Sequence, residues 1–286
     1  MRKKLHDISQ KIDGLTLEIL KKIKNITDTL KIDFFIIGAT VRDMILYYVY
    51  GIRVYRATND IDFAVRIKSW DEYELLLGGI EKAGFVKSES ILHRFTYRGM
   101  IIDFIPFGEV SVDGSTITWP DKDATELNVI GFDDAYANTE DIIIQTDPKT
   151  VIKAASVVSL VTLKIFSWNS RSVDLRSKDA KDLYLIITTY LNAGNEERLY
   201  DHQDIVDLAV DYELSGAMLL GKDIAKAVTN KIHTALLEIM SEDTLQLLAY
   251  DMSGYENLHR DSYDEKVEWC VELLMSLMQG LKSKVA

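Results

Sequence analysis

The sequence has a single cysteine, Cys270, in 286 residues. One thiol cannot build an intramolecular disulfide framework or a cysteine-rich zinc site, and a reduced cytosolic setting fits it best. His202, His233 and His259 show no ligand spacing with one another, which argues against a zinc centre of any kind. The chain also lacks an uninterrupted apolar run of membrane-helix length. Its nearest approach, residues 151–168, is broken by Lys153 and Lys164. The N-terminus is charged but has no apolar centre of the signal-peptide type. The expected location is therefore cytoplasmic, with no membrane partner. There is no Gly-x-x-x-x-Gly-Lys-Ser/Thr run, which argues against a P-loop NTPase, and there is no low-complexity tract or solenoid period. Positive charge is in short supply, with 33 Lys and Arg against 45 Asp and Glu for a net charge of -12. That disfavours a protein whose main work is coating duplex nucleic acid, although a local basic groove is compatible with it.

Apolar residues make up 47% and charged residues 27%, the balance of a globular protein with ample core. Ile8, Ile12, Leu15, Ile19, Ile23, Ile26 and Leu30 recur at steps of three and four, so residues 7–30 read as an amphipathic helix with a basic outer side. A short buried strand at 34–37 ends at Gly38, and a helix follows over 41–50. A strand at 61–67, a helix at 71–83 and a strand near 85–86 come next. The runs 92–97 and 100–105 are joined by Arg98-Gly99, a hairpin signal. Further short strands are expected at 116–119, 128–130 and 141–146. Beyond Pro148 the pattern is helical throughout, with helices expected at 156–168, 179–192, 201–211, 215–228, 231–241, 244–252 and 264–281 and a break at Gly194. The expected plan is α+β, with an α/β domain over 1–148 and a helical domain over 149–286.

The sharpest feature is Arg56-Ala57-Thr58-Asn59-Asp60-Ile61-Asp62-Phe63. On a strand, residues two apart point to the same side, so Asp60 and Asp62 project together while Ile61 and Phe63 face the core. Neighbouring carboxylates repel each other, and a hard divalent cation relieves that repulsion. Asp103 stands in the apolar run Met100-Ile101-Ile102-Asp103-Phe104-Ile105, where an unpartnered aspartate is costly to bury. A neighbouring strand would bring three carboxylates together, enough for two Mg²⁺ ions, or Mn²⁺ in their place. Gly38-Ala39-Thr40, between a strand and a helix, offers backbone N–H groups to a phosphate. Each feature alone also has an ordinary structural reading, as a solvated strand edge, a salt-bridged aspartate or a simple strand-to-helix turn.

The ordered set Gly38-Ala39, Asp60-Ile61-Asp62 and Asp103 resembles the signature of the polymerase-β-like nucleotidyltransferase superfamily. Residues 38–46, Gly-Ala-Thr-Val-Arg-Asp-Met-Ile-Leu, are similar to the turn and helix of tRNA CCA-adding enzymes. The second position is Ala39 where that pattern has Gly or Ser, which leaves a phosphate contact to the backbone. In the helical half, residues 160–168 with Lys164, then Arg171 and Arg176, then Lys178-Asp179-Ala180-Lys181-Asp182-Leu183, resemble the AbiEii/AbiGii toxin family. The resemblance spans about residues 34–185.

It implies a polymerase-β-like nucleotidyltransferase domain with a mixed sheet, followed by a helical domain that completes the nucleotide and acceptor site. It further implies Mg²⁺-dependent transfer of an NMP from an NTP to a hydroxyl. The acceptor would be RNA, such as a tRNA 3′ end, and the setting a toxin–antitoxin or abortive-infection system with a cognate antitoxin. Asp60, Asp62 and Asp103 would hold the metal. Gly38, Ala39, Thr40, Arg42 and Lys164 would bind the nucleotide, and Asp182, preferred over Asp179, would support Lys164 or the incoming hydroxyl. Read from its own surroundings, Lys164 sits in an apolar helix face, where a phosphate, a carboxylate such as Asp182, or escape of its head to water would satisfy it. Arg42 and Arg56 could each steady a triphosphate or pair with Asp43 or Asp33. His93 reads as structural, and Trp119, Trp168 and Tyr136 read as core residues before base-stacking ones. RNA contact would be local, at the basic N-terminal helix or along residues 171–181. The competing readings are an aminoglycoside-type nucleotidyltransferase and an inactive nucleotide-binding interaction module.

Overall fold

The computed structural model describes residues 4–54, 58–120, 126–208 and 211–283. They form two compact units, Met1–Ser156 and Val157–Ala286.

The first unit opens with β1 (Leu5–Asp7), α1 (Gly14–Leu30), β2 (Asp33–Ile37) and α2 (Gly38–Arg42), which runs on into a π-helical turn at Asp43–Val49. Then come β3 (Asp60–Ile67), α3 (Trp70–Lys82), β4 (Val86–Lys87), β5 (Arg94–Tyr97) and β6 (Met100–Gly108). The unit closes with β7 (Thr116–Thr118), β8 (Glu126–Asn128), α4 (Phe132–Ala137), β9 (Thr139–Thr146) and β10 (Lys149–Ala155). Eight of these strands make one mixed sheet in the order β1-β9-β10-β2-β3-β6-β5-β4, and β7 and β8 pair separately.

Two expectations from the sequence change here. The first helix starts at Gly14, because the Asp13 carboxylate accepts from the Thr16 backbone N–H at 2.9 Å and caps it. Ile8 and Ile12 keep the helical spacing but lie outside the helix. Residues 5–7 pair in parallel with residues 141–143 of β9 instead. The α/β unit also runs past the expected boundary at 148. Lys149–Ala155 is a strand that pairs antiparallel with β9 and parallel with β2, not the start of the helical half.

Alternation along β3 sorts its two faces. Ile61, Phe63 and Val65 are buried, as are Ile102 and Phe104 on β6. Phe63 stacks on Phe104 with ring centroids 5.3 Å apart, and Phe95 meets Phe104 edge-on at 5.6 Å. The Tyr73 hydroxyl of α3 donates to the Phe104 carbonyl at 2.7 Å, pinning the helix to this face. The opposite face is apolar toward the C-terminal end of β6, where Phe107 packs against Phe35 and against Phe132 of α4. Its other end carries the aspartates. The hairpin between β5 and β6 turns through Arg98 (φ 49°) and Gly99 (φ 87°), the left-handed pair that suits strand twist.

The second unit contains α5 (Val157–Ser170), α6 (Val173–Thr188), a 3₁₀ turn (Glu196–Asp201), α7 (Gln203–Leu208), α8 (Tyr212–Ala227), α9 (Asn230–Ile239), α10 (Glu242–Ser253) and α11 (Tyr263–Lys282). Residues 201–211 therefore do not form the single helix expected, and α6 starts at Val173, ahead of the expected 179. The tightest helix pair is α8 with α11. A Cβ added to Gly221 would lie 2.0 Å from the Leu277 carbonyl oxygen, and one added to Gly280 would lie 2.0 Å from that of Met218. The backbones touch because both side chains are absent. Gly221→Ala must force the helices apart and is expected to cost about 2–3 kcal/mol, read as a lower urea midpoint. An unchanged midpoint would mean the crossing is more yielding than this contact implies.

Candidate active site

The register of three strands sets one row of side chains. Asp62 on β3 is opposite Asp103 on β6, and Asp103 is opposite Arg94 on β5. Registered residues share a sheet face, and Asp60, two before Asp62, shares it too. The three sequence-identified carboxylates thus stand on one face, at the start of β3 and early in β6. Asp60 and Asp62 are half-buried, and Asp103 is 5% exposed.

Asp103 is not left to the cation expected from the sequence. Both of its oxygens accept from Arg94, from Nε at 2.8 Å and from Nη2 at 2.7 Å. This bidentate pair is the strong form of the interaction. The hydrogen bonding to Asp103 and the charges of Asp103, Asp62 and Asp60 raise the Arg94 pKa, against burial, so the guanidinium stays cationic. Arg94 is not among the site residues read from the sequence; its place opposite Asp103 in the hairpin is the signal that could have found it.

Gly38 carries φ +76° at the junction of β2 and α2. A Cβ there would fall 2.1 Å from Asp62 Oδ2. Glycine is thus required twice, for a left-handed backbone and for room beside the carboxylate. Gly38→Ala would move that oxygen by about 1 Å, and a displacement of this size costs about 10²-fold in rate. The expected result is that loss in turnover with a retained circular dichroism spectrum. Full activity would separate Gly38 from the site.

The neighbours of Gly38 are engaged in holding the turn. The Thr40 hydroxyl donates to the Asp60 carbonyl at 2.5 Å, tying the start of α2 to the start of β3. Arg42 is 1% exposed and donates to Asp43 Oδ1 from Nε at 2.8 Å and Nη2 at 2.6 Å. Of its two sequence readings, the structure shows the pair with Asp43. Ala39 is buried. Arg56 lies outside the described residues. The Thr58 hydroxyl, just ahead of Asp60, is buried without a hydrogen-bond partner among the described residues.

The chemistry of the donors on this face suits a hard divalent cation, since carboxylate oxygens are what Mg²⁺ and Mn²⁺ take. As the side chains stand, no three His, Cys, Asp or Glu among the described residues are grouped to hold a metal ion. Asp60 and Asp62 fit such an ion by position. Asp103 fits it by register but is turned to Arg94.

In the helical unit, Lys164 on α5 is buried and donates to Asp182 Oδ2 at 2.6 Å and to Asp179 Oδ1 at 3.3 Å, both on α6. Asp179 Oδ2 also accepts from Arg171 Nη1 at 2.7 Å and from Ser167 Oγ at 3.0 Å. Asp182, the residue preferred from the sequence, makes the shorter contact with the ammonium, and Asp179 shares it. The two aspartates lie one helical turn apart and both face α5. An ammonium has three donors, so Lys164 retains capacity for a further acceptor.

The stretches proposed for RNA contact are largely paired within their own units. Arg176 lies 2.7 Å from Asp251, and Lys181 lies 2.5 Å from Glu256. Lys24 pairs with Asp28, Lys11 donates to the Tyr48 carbonyl, and Lys22 sits over the Tyr97 ring. Trp119 and Trp168 are buried, in line with core packing. Tyr136 accepts from Lys153 at 3.0 Å. Burial pushes the His93 imidazole pKa below its ordinary 6.5, with Asp103 opposing and Arg94 assisting, and its ring lies against Trp119.

The family described as nucleotidyl transferase AbiEii toxin, type IV TA system, matches residues 19–265. None of the curated proteins matches the chain. Among solved structures, the antibiotic-resistance factor ANT(2″)-Ia is 16% identical at a TM-score of 0.36, over 69% of this chain and 100% of that one. An antigenic nucleotidyltransferase-like protein from Paracoccidioides brasiliensis is 12% identical at 0.34, over 68% and 93%. An apo form of a CCA-adding enzyme is 12% identical at 0.29, over 96% and 83%. No helix among the described residues is long and apolar enough to cross a membrane.

Proposed function

Because the chain belongs to the nucleotidyl transferase AbiEii toxin family, we propose that it moves an NMP from an NTP to a hydroxyl of RNA, a tRNA 3′ end in particular, as the toxin of a pair with a cognate antitoxin. The observation that carries this reading is the shared face of Asp60, Asp62 and Asp103, with Gly38 against Asp62. Asp60, Asp62 and Asp103 would hold Mg²⁺, which when bound neutralises a triphosphate and favours the deprotonated acceptor hydroxyl. The chain's own part is positioning. The left-handed turn at Gly38 brings backbone beside the carboxylates, and Thr40 fixes the turn to β3 through the Asp60 carbonyl. Such a site works by orientation and fixed charge. Lys164 is the helical unit's candidate for a phosphate oxygen, through the ammonium donor that Asp179 and Asp182 leave over.

Most of the basic stretch 171–181 is paired, which leaves it few free cations for an acceptor. Recognition by shape and by the 2′-hydroxyl suits RNA better than a broad electrostatic surface does. The test is incubation with each α-labelled NTP, Mg²⁺ and total RNA. Label in the tRNA fraction is the expected result. Label on an aminoglycoside and not on RNA would replace the acceptor. Bound NTP with no transfer to RNA, protein or small molecule would replace the reading by that of a binding module.

A further inference from the structure

We propose that Arg94 is a positioning residue that guards the third carboxylate, holding both oxygens of Asp103 until metal binding displaces it. The inference rests on the reading above, in which Asp60, Asp62 and Asp103 form the metal-binding set.

The geometry gives the two partners unequal freedom. The Asp103 side chain is 8% exposed and sits inside the sheet row, whereas that of Arg94 is 32% exposed. The carboxylate is fixed by its strand, and the guanidinium is the partner with room to leave. Both Arg94 contacts fall on the oxygens that a cation would need, so guanidinium and metal compete for the same lone pairs. The charge balance points the same way. Three carboxylates on one face repel, and Arg94 brings one positive charge to the row that Asp62 and Asp103 occupy. It therefore stabilises the metal-free cluster and weakens the first metal to arrive at Asp103. An arginine that merely ties β5 to β6 would stabilise the sheet without opposing metal.

The experiment is a Mn²⁺ titration of the full chain, read by loss of the free-ion electron paramagnetic resonance signal. It compares wild type with Arg94→Gln, Arg94→Lys, Asp103→Asn, Asp62→Asn and the Arg94→Gln/Asp103→Asn double variant. Arg94→Gln is expected to bind Mn²⁺ about tenfold tighter than wild type, the change that removing one charge-assisted contact implies. Arg94→Lys, which keeps the charge and loses the fork, is expected to fall between the two and stands in if the glutamine variant does not fold. In the Asp103→Asn background, Arg94→Gln is expected to change affinity by less than in wild type, since only the through-space charge remains to be removed. Equal or weaker binding by the Arg94 variants, with wild type binding and Asp62→Asn not, would overturn the role of Arg94 and leave the metal set standing. Equal binding by wild type and Asp62→Asn would overturn both.

Discussion

Asp62→Asn is expected to lower the rate of nucleotidyl transfer by about a thousandfold or more while leaving the fold intact. The substitution keeps the volume of the side chain and the contact with Gly38 but removes the negative charge from the centre of the row. Charge stabilisation by a bound metal is worth several kcal/mol, and each 1.36 kcal/mol is about a factor of ten in rate. The stability side has a different sign. Asp62 stands between Asp60 and Asp103 on one face, so removing its charge relieves repulsion, and Arg94 keeps its two bonds to Asp103. The urea midpoint of the metal-free protein should stay level or rise. Single-turnover transfer from an α-labelled NTP and a urea titration check both halves. Wild-type transfer would remove Asp62 from the chemistry. A collapsed midpoint would make it structural.

Lys164→Met carries the largest expected loss of stability, about 3–5 kcal/mol, the usual consequence of deleting one partner of a buried ion pair. The Lys164 and Asp182 side chains are 9% and 7% exposed and meet at 2.6 Å. Asp179 retains Arg171 and Ser167, and Asp182 loses its 2.6 Å contact with the ammonium. Replacing the pair together, as Lys164→Met with Asp182→Leu, should restore most of the loss, since apolar groups of similar volume tolerate such a site. Denaturant unfolding of the single and double variants gives the comparison. A double variant no better than the single would show that the loss lies in packing and not in the broken ion pair.

Local signals carried much of this into the sequence. The alternation Asp60-Ile61-Asp62-Phe63 put the carboxylates on one side and the core on the other, as β3 bears out in its buried Ile61 and Phe63. Arg98-Gly99 marked the hairpin because its left-handed backbone favours glycine there. What escaped was set by partners far along the chain. Residues 5–7 form a strand only because residues 141–143 pair with them, and the apolar spacing of Ile8 and Ile12 pointed to a helix that Asp13 instead begins. The strand Lys149–Ala155 follows a proline and leads into helices, and its sheet neighbours decide its state. Arg94 is a different case: the two-residue turn at Arg98-Gly99 sets Tyr97 opposite Met100, and counting back along the hairpin sets Arg94 opposite Asp103. Asp182 was preferred over Asp179, its neighbour on the same side of the helix, and the partners of Asp179 at Arg171 and Ser167 lie outside that local spacing.

The order of the sheet has a consequence for how the chain comes to be finished. Leu5–Asp7 leaves the ribosome before the rest of the sheet, yet its neighbour there, among the described residues, is a strand that starts at Thr139. The segment must wait through most of the unit's synthesis, since a contact this long-range closes slowly and late. His6 then meets Glu140 at 2.8 Å, like the last tooth of a zip. A nascent chain stalled short of Thr139 therefore has Gly38, Asp60, Asp62 and Asp103 already emerged, but its earliest strand still has nothing to dock on.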